Sequence, residues 1–508
     1  MRFSKAVGVL AGLSFLVAAT TASGQSVSRR MNLAKLSEQA FTVAMATLQS
    51  EGKACAANLP RLKTFYDDPR FESMSPETRR PLLFAVIYCA EAKDMPLAVA
   101  AAKRLEPIAD TDVLVSAVYT VQMSEAMQRG ATAEAARLFL TLTDKQPEAV
   151  AEWEPEMVGS FADYIDGDAA LSLKVVERIV KLEWTSPASK RAAANEWALA
   201  YGWQLADQGR TAEAAKAVAG ADDPYVLMIV AGDRRFSALW DSRKFDWTAI
   251  VQADLARAAQ EMQDSPQKLR PVEEYMAELR ALGRYEEAIQ VGQAFRARLQ
   301  DGEEFDDDRR RADNLLINLA QALFETGDYA ESEAVFLQAI GDDADGEAID
   351  GRIAWGGRLL DLGRPAEVLK MMDAIDEDQT SPYGRLWVES QRACAQATLD
   401  RKAAAATLDI LRKGVDDNPA ALSQALICTN ELDEAAALMI KRLNRPKDRS
   451  GALDPFWVTR APPKVPPWLA EFERRRQVVL NKPEVLKALA AVGRKVEAPL
   501  AGNYWGGF

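Results

Sequence analysis

The residue types that most enzymes use for acid–base and nucleophilic chemistry are incomplete in this chain of 508 residues, which contains no histidine. Ser-His and Cys-His nucleophiles, and metal sites with a histidine ligand, are therefore excluded. Ser50 and Lys53 have the Ser-x-x-Lys spacing of some acyl-enzymes, but they fall at an expected helix break and lack the companion motifs. We predict that the protein is not an enzyme.

Acidic residues form one dense cluster, with six acids among residues 301–308. Such a cluster could bind a hard cation such as calcium. It also precedes a predicted helix start near Arg309, where negative charge is favourable and neighbouring arginines compensate it. We favour the second interpretation and predict no metal site. Because no Walker A loop and no dinucleotide-binding glycine motif occurs, we also predict no cofactor.

The four cysteines form two pairs with the same spacing, since Cys55 and Cys89 are 34 residues apart and so are Cys394 and Cys428. In an oxidising compartment this arrangement predicts two local disulfides. Four buried thiols in helical interiors are the alternative. The sequence favours the disulfides and leaves both interpretations open.

The N-terminus resembles a secretory signal peptide. Two cations precede an apolar run over residues 6–19, and small residues follow it. The run is shorter than the roughly 20 residues of a membrane-spanning helix, so cleavage is favoured over anchoring. We predict a periplasmic or secreted mature chain without a membrane span. The net charge of -13 makes nucleic acid an improbable partner.

Helical hairpins are the predicted element of most of the chain. Ala- and Leu-rich segments with a period near 3.6 alternate with short breaks between residues 32 and 443, and no segment shows a convincing strand pattern. Most breaks contain a glycine that can end a helix in the left-handed conformation. The clearest are Gly209, Gly283, Gly327 and Gly363, with a weaker copy at Gly130.

These hairpins resemble tetratricopeptide repeats (TPR). In the clearest unit, residues 315–340, small and apolar positions precede a Gly-Asp-Tyr turn, and matching positions follow it. The matching residues are Leu319, Ala320, Leu323, Gly327, Tyr329, Ser332, Phe336 and Ala339, and further copies contain Trp197, Gly202 and Trp355. Pro365 and Thr211 depart from the pattern by replacing the turn aromatic. The resemblance implies an all-α superhelical solenoid and a binding scaffold of the exported bacterial type.

Changes in composition give the predicted domain boundaries. We expect a proline-rich linker and a short helical tail after the repeats, with helices near residues 469–480 and 483–492 that cap the array and offer Trp468 and Trp505 for docking. The predicted segments are a signal peptide at 1–24, an N-terminal array at 25–220, a connector at 221–247, a second array at 248–445 and the linker and tail at 446–508.

The first helices of stacked hairpins line a concave groove that can hold a peptide or a helix. We predict a protein or peptide partner in the cell envelope; the alternative is a glycan-binding or glycan-processing protein that uses groove carboxylates. Polar and aromatic groups there can hydrogen-bond a peptide. The candidate binding residues are Asn314, Asn318, Gln321, Arg270, Arg280 and Trp203.

Overall fold

The computed structural model describes residues 24–50, 53–91, 93–153, 155–162, 165, 168–240, 245–306, 309–341, 349–376, 380–400 and 402–501. The chain divides into two compact units, Met1–Gln208 (unit 1) and Gly209–Phe508 (unit 2). All but the last residue of the predicted signal peptide, the acids at 307–308 and Trp505 lie outside the described residues. Among the described residues, no helix is long and apolar enough to cross a membrane.

Unit 1 is helical throughout its described residues. Its α-helices are α1 (Gly24–Gln49), α2 (Cys55–Tyr66), α3 (Pro76–Ala90), α4 (Met95–Leu105), α5 (Asp112–Gln128), α6 (Thr132–Lys145), α7 (Pro147–Ala151), α8 (Pro155–Ala162), α9 (Ala169–Lys181), α10 (Pro187–Ala194) and α11 (Glu196–Asp207). Its core is lined by alanine and leucine side chains together with fully buried aromatic rings such as Phe139.

Unit 2 contains the remaining helices and two short strands. They are α12 (Thr211–Val218), α13 (Pro224–Gly232), α14 (Trp247–Asp264), α15 (Arg270–Ala281), α16 (Tyr285–Gln300), α17 (Arg309–Thr326), α18 (Tyr329–Ile340), α19 (Ile349–Asp361), α20 (Pro365–Asp373), α21 (Pro382–Leu399), α22 (Ala404–Lys413), α23 (Pro419–Cys428), α24 (Leu432–Asn444), α25 (Pro446–Leu453), β1 (Trp457–Arg460), α26 (Pro467–Leu480), α27 (Pro483–Val492) and β2 (Val496–Ala501). The helices from α15 to α24 form successive hairpins, and we call α15, α17, α19, α21 and α23 the first helices.

A left-handed residue ends the first helix of most predicted hairpins; α21 differs, since Asp400 after it has φ -147°. At Gly283 φ is +75°, the Gly283 N–H donates to the Arg280 carbonyl at 2.8 Å, and the Arg284 N–H donates to the Leu279 carbonyl at 2.8 Å. These two bonds satisfy carbonyls that the helix itself leaves without partners. The residues with positive φ at such turns are Gly130, Gly209, Gly283, Gly327, Gly363 and Asn430, which confirms the predicted glycine breaks.

Both predicted disulfides are present. Cys55–Cys89 joins α2 to α3 in unit 1, and Cys394–Cys428 joins α21 to α23 in unit 2; each has a Cα–Cα distance of 5.1 Å. No free cysteine remains, because all four residues are paired. The bond in unit 2 therefore links two consecutive first helices of the array.

The C-terminal segment differs in part from the prediction. The two tail helices occur as expected, at α26 and α27, but Pro446 begins α25 because proline suits the first turn of a helix. The structure is almost entirely helical, as predicted, and adds one parallel pair of strands, β1 and β2, which are too short for an alternation pattern to identify. The segment predicted as a connector contains α13, whose Val226 and Leu227 are completely buried.

Replacing Cys394 and Cys428 with alanine is expected to lower the free energy of unfolding of unit 2 by about 3–4 kcal/mol, because the bond closes a long loop in the unfolded chain. Guanidinium unfolding followed by tryptophan fluorescence measures the change. The matched variant lacking Cys55 and Cys89 should weaken unit 1 and leave the transition of unit 2 in place. A unit 2 transition that does not move in the first variant would contradict the expectation.

Candidate functional site

Two of the predicted groove residues belong to one buried ion-pair cluster. Arg280 is 2% exposed, and its guanidinium donates to both carboxylate oxygens of Glu325 at 3.1 and 2.8 Å. It also donates to the Asn318 side-chain oxygen at 3.0 Å. Because an unpaired buried charge costs several kcal/mol, these three groups hold one another in place between α15 and α17. Burial beside Glu325 raises the pKa of Tyr285 to about 12.

The other candidates in unit 2 lie elsewhere on the same helices. Arg270 pairs with Glu261 at 3.0 Å and with Glu274 at 2.5 Å, within an ion-pair cluster between α14 and α15. Asn314 hydrogen-bonds Glu273, whose pKa burial raises, and Gln321 is half-buried. The structure thus brings Arg280 and Asn318 together and places Arg270 in a separate cluster.

Trp203 lies on α11 of unit 1 and is half-buried. It stands six residues before the turn glycine Gly209, as Gln321 stands six before Gly327. The two side chains therefore occupy the same position in their repeats. A binding role for these candidates, and for the rest of the predicted set, stays a prediction.

The segment from Arg460, at the end of β1, to Trp468, in the first turn of α26, lies across the ends of first helices in unit 2; we call it the strap. The Arg460 guanidinium donates to the Leu282 carbonyl at 3.0 Å, at the end of α15. The Lys464 N–H donates to the Glu325 carbonyl at 3.3 Å, at the end of α17. The strap therefore uses one main-chain carbonyl of each of two successive first helices.

Aromatic and cationic groups continue this contact from α26. The Trp468 indole N–H donates to the Thr398 hydroxyl at 3.3 Å near the end of α21, and the Trp468 ring stacks on Phe472 with centroids 5.7 Å apart. Both rings pack against the core of unit 2. Arg475 donates to the Cys428 carbonyl at 2.7 Å, at the end of α23. Four first helices of unit 2 are thus contacted at the same end.

The turn glycines allow the strap to approach closely. A Cβ atom at Gly327 would lie 2.8 Å from the Lys464 Cγ, and one at Gly283 would lie 3.2 Å from the Arg460 guanidinium nitrogen. The carbonyl end of a helix also carries partial negative charge, which favours both cations. A glycine turn therefore supplies both the left-handed conformation and the surface on which a cation lies.

The strap meets successive turns at residues that are four apart in the sequence. Pro466, just before α26, has φ -60° and ψ 148°, which are polyproline II values. The facing pairs are Arg460 with Gly283, Lys464 with Gly327, and Trp468 with Gly363.

Unit 1 contains an open cavity of about 230 Å³ beside α5 and α8. Methionine and aromatic side chains form most of its walls. Phe139 of α6 supports the aromatic side, since its ring stacks on Phe161 at 4.9 Å and lies 6.4 Å from the ring of Trp153. The lining residues are Thr120, Met123, Ser124, Met127, Gln128, Trp153, Met157 and Phe161.

The cavity of unit 1 includes a repeat position that contacts the C-terminal segment in unit 2, when positions are counted from the turn glycines. Gln128 precedes Gly130 by two residues, as Glu325 precedes Gly327 and Asp361 precedes Gly363. In unit 2 these positions meet the C-terminal segment, because the Glu325 carbonyl accepts from the strap and Asp361 lies near Glu473 of α26. In unit 1 the equivalent Gln128 lines the cavity.

Among the described residues, no group of three or more acidic or cysteine side chains could hold a metal ion. The acids of the Arg270 cluster are paired with arginines rather than converging on an open position. The groups present at the cavity and at the strap are apolar walls, main-chain carbonyls and compensated charges.

No family model and no curated protein matches this chain. Among solved structures, it is similar to a Rap protein complexed with competence and sporulation factor, with 11% sequence identity and a TM-score of 0.30 over 91% of this chain and 99% of that chain. That score is too low to transfer fold or function. The helices, turns and cores described above by themselves define an all-α helical-hairpin repeat protein.

Sequence reasoning did not find the cavity or the docking of the strap. The available signals were Met123 and Met127 one helical turn apart before a turn glycine, and cations four residues apart in a proline-rich segment. Methionine is common at adaptable binding surfaces. Neither signal says which distant element a side chain meets.

The raised pKa of Asp361, on the face that meets α26, predicts that the stability of unit 2 depends on pH. Burial raises its pKa from 3.8 to about 6, nearby Glu473 adds to the rise, and Arg358 at 3.1 Å opposes it. The folded state thus favours the protonated acid, so this contribution to stability is present at low pH and is lost as pH rises through about 6. Asp361→Asn should therefore stabilise unit 2 at about pH 8 by about 1–3 kcal/mol and little at about pH 4.

Urea unfolding of the wild type and the variant at both pH values measures this difference. Asp350→Asn is the matched control, since Asp350 is exposed on the same helix. A gain in stability that is equal at both pH values would contradict the assignment to Asp361.

Proposed function

We propose that this protein is an exported scaffold without catalytic activity, which mediates protein–protein interactions in the cell envelope by binding a peptide or a helix in a concave groove lined by the first helix of each hairpin. The observation that carries the proposal is the open, methionine-lined cavity beside α5 in unit 1. Its flexible methionines and aromatic walls resemble surfaces that accept apolar side chains of partner proteins.

The size of the cavity supports a peptide side chain as its ligand. Its volume of about 230 Å³ is below the range of about 300–1,000 Å³ that is typical of pockets for small molecules. One large apolar side chain, presented by a peptide or a helix, suits such a space. Binding energy in such interfaces is concentrated in a few buried anchors of this kind.

Paired cysteines support export, because disulfides persist in oxidising compartments such as the bacterial periplasm. The signal peptide predicted at residues 1–24 would direct the chain there, and residue 25 would begin the mature protein. Fractionation of cells that express the full chain, with thiol alkylation before lysis, tests both features together.

The binding proposal is tested with a photo-crosslinking amino acid at Gln128, which is exposed and lines the cavity. Irradiation of living cells should give a small, reproducible set of crosslinked envelope proteins. The same amino acid at Gln39, exposed on α1, is the matched control and should not give that set. Equal crosslinking from both positions, or none from Gln128, would contradict the proposal, and turnover of isolated cell-wall polymer by pure protein would contradict the absence of catalysis.

A further inference from the structure

We propose that the cavity of unit 1 binds a basic, proline-containing segment of a partner protein that ends in a large aromatic anchor, the same chemistry as the strap of unit 2. This inference rests on the proposed function and specifies its ligand. The chain itself provides one bound example of such a segment, held on the equivalent face of its own repeats.

The turn after α5 in unit 1 corresponds to the turns after α15 and α17 in unit 2. Counted from the turn glycine, Met127 of unit 1 holds the position of Arg280 in unit 2, and Gln128 holds the position of Glu325. In unit 2 this end of the first helices is covered by the strap, and a Cβ atom at Gly327 would strike Lys464. In unit 1 a Cβ atom at Gly130 would meet no atom within 4 Å. The turn of α5 is therefore open where the turn of α17 is occupied.

Charged side chains surround the turn at Gly130 and the cavity beside it. Arg129, beside Gly130, pairs with Glu125 at 2.5 Å and with Glu134 at 3.0 Å, and Lys103 also lies near Glu125. The cations balance these two carboxylates, and a further carboxylate, that of Glu91, lies beside the cavity. The Ser124 hydroxyl, at the cavity, donates to the carboxylate of Glu91 at 3.5 Å. The carbonyl end of α5 adds partial negative charge. The rim of the cavity therefore suits a cation, as the ends of α15 and α17 do.

The aromatic anchor of the strap is Trp468. It follows the cation Lys464 by four residues, with two prolines between them, and its half-buried ring packs against the core of unit 2. The cavity walls in unit 1 offer thioether and aromatic partners to such a ring. Methionine sulfur and aromatic rings attract each other by about 0.3–1.5 kcal/mol per contact. A partner segment with lysine or arginine four residues before tryptophan or phenylalanine fits both features.

The test uses a fluorescent peptide with the sequence of residues 460–472 and the full mature chain, followed by fluorescence anisotropy. Saturable binding is expected, and it should weaken as salt is added because the cation contributes. Met127→Lys should weaken binding about tenfold or more, through charge repulsion and loss of the apolar wall. Met45→Lys, at a half-buried methionine of α1 outside the cavity, is the matched control and should bind normally.

A second variant distinguishes loss of binding from loss of folding. Gln128→Arg changes an exposed rim residue without altering the core, and it should also weaken binding while the melting temperature stays unchanged. Peptides with both cations replaced by glutamate, or with tryptophan replaced by alanine, should bind poorly. Absence of binding, or binding that survives both cavity variants, would overturn the inference, and the second result would place the peptide on unit 2.

The outcome separates this inference from the proposed function. If Gln128 crosslinks to envelope proteins in cells while the strap peptide does not bind, the scaffold stands and the ligand chemistry is wrong. If the pure chain instead dimerises in sedimentation and Met127→Lys abolishes that dimer, the ligand is the strap of a second copy, and the assignment to a partner protein is overturned.

Discussion

Four of the five hairpins from α15 to α24 depend on one residue in the left-handed conformation at the end of the first helix. That residue turns the chain, so that its own N–H and the next N–H donate to two carbonyls of the preceding helix. At Gly283, the Gly283 N–H donates to Arg280 and the Arg284 N–H donates to Leu279. A glycine there also lacks a side chain, so the helix end stays accessible to another segment. The turn that makes the repeat thus also creates an edge on which a cation and a main chain can lie.

In unit 2 this edge is occupied by the chain itself. Every fourth residue of the strap contacts one of the successive glycine turns, and side chains of α26 extend the contact to the ends of α21 and α23. Beneath it, the buried side chains of Arg280 and Glu325 form an ion pair at 2.8 Å. Their role is to fix α15 against α17, because removing either partner would leave a buried charge unpaired. The same face of unit 1 instead contains an apolar cavity.

Local signals made much of the fold predictable. Glycines with a helix-ending role and prolines at the start of tail helices act within a few residues of their own position, and each disulfide joins cysteines that are one repeat apart. The bounds of α27, Pro483–Val492, coincide with the prediction for this reason. The β1–β2 pair was missed, since strands of four and six residues carry too little pattern.

Long-range contacts were beyond the sequence. Arg280 was predicted to face a ligand, but Glu325, 45 residues away, holds its guanidinium. Arg460 contacts the carbonyl of Leu282 across 178 residues of chain. Amphipathic periodicity gives the buried stripe of each helix, whereas the partner of a polar group depends on how separate helices are packed.

Hydrogen exchange of the strap tests most directly whether the turn edge holds an extended segment. Four of its nine residues are prolines without an amide hydrogen, so a proteolytic fragment spanning 460–468 reports on few amides, Lys464 among them. Because the Lys464 N–H donates to the Glu325 carbonyl, we expect exchange there to be much slower than in the same fragment of the unfolded chain. Exchange of the strap as fast as in the unfolded chain would contradict the account.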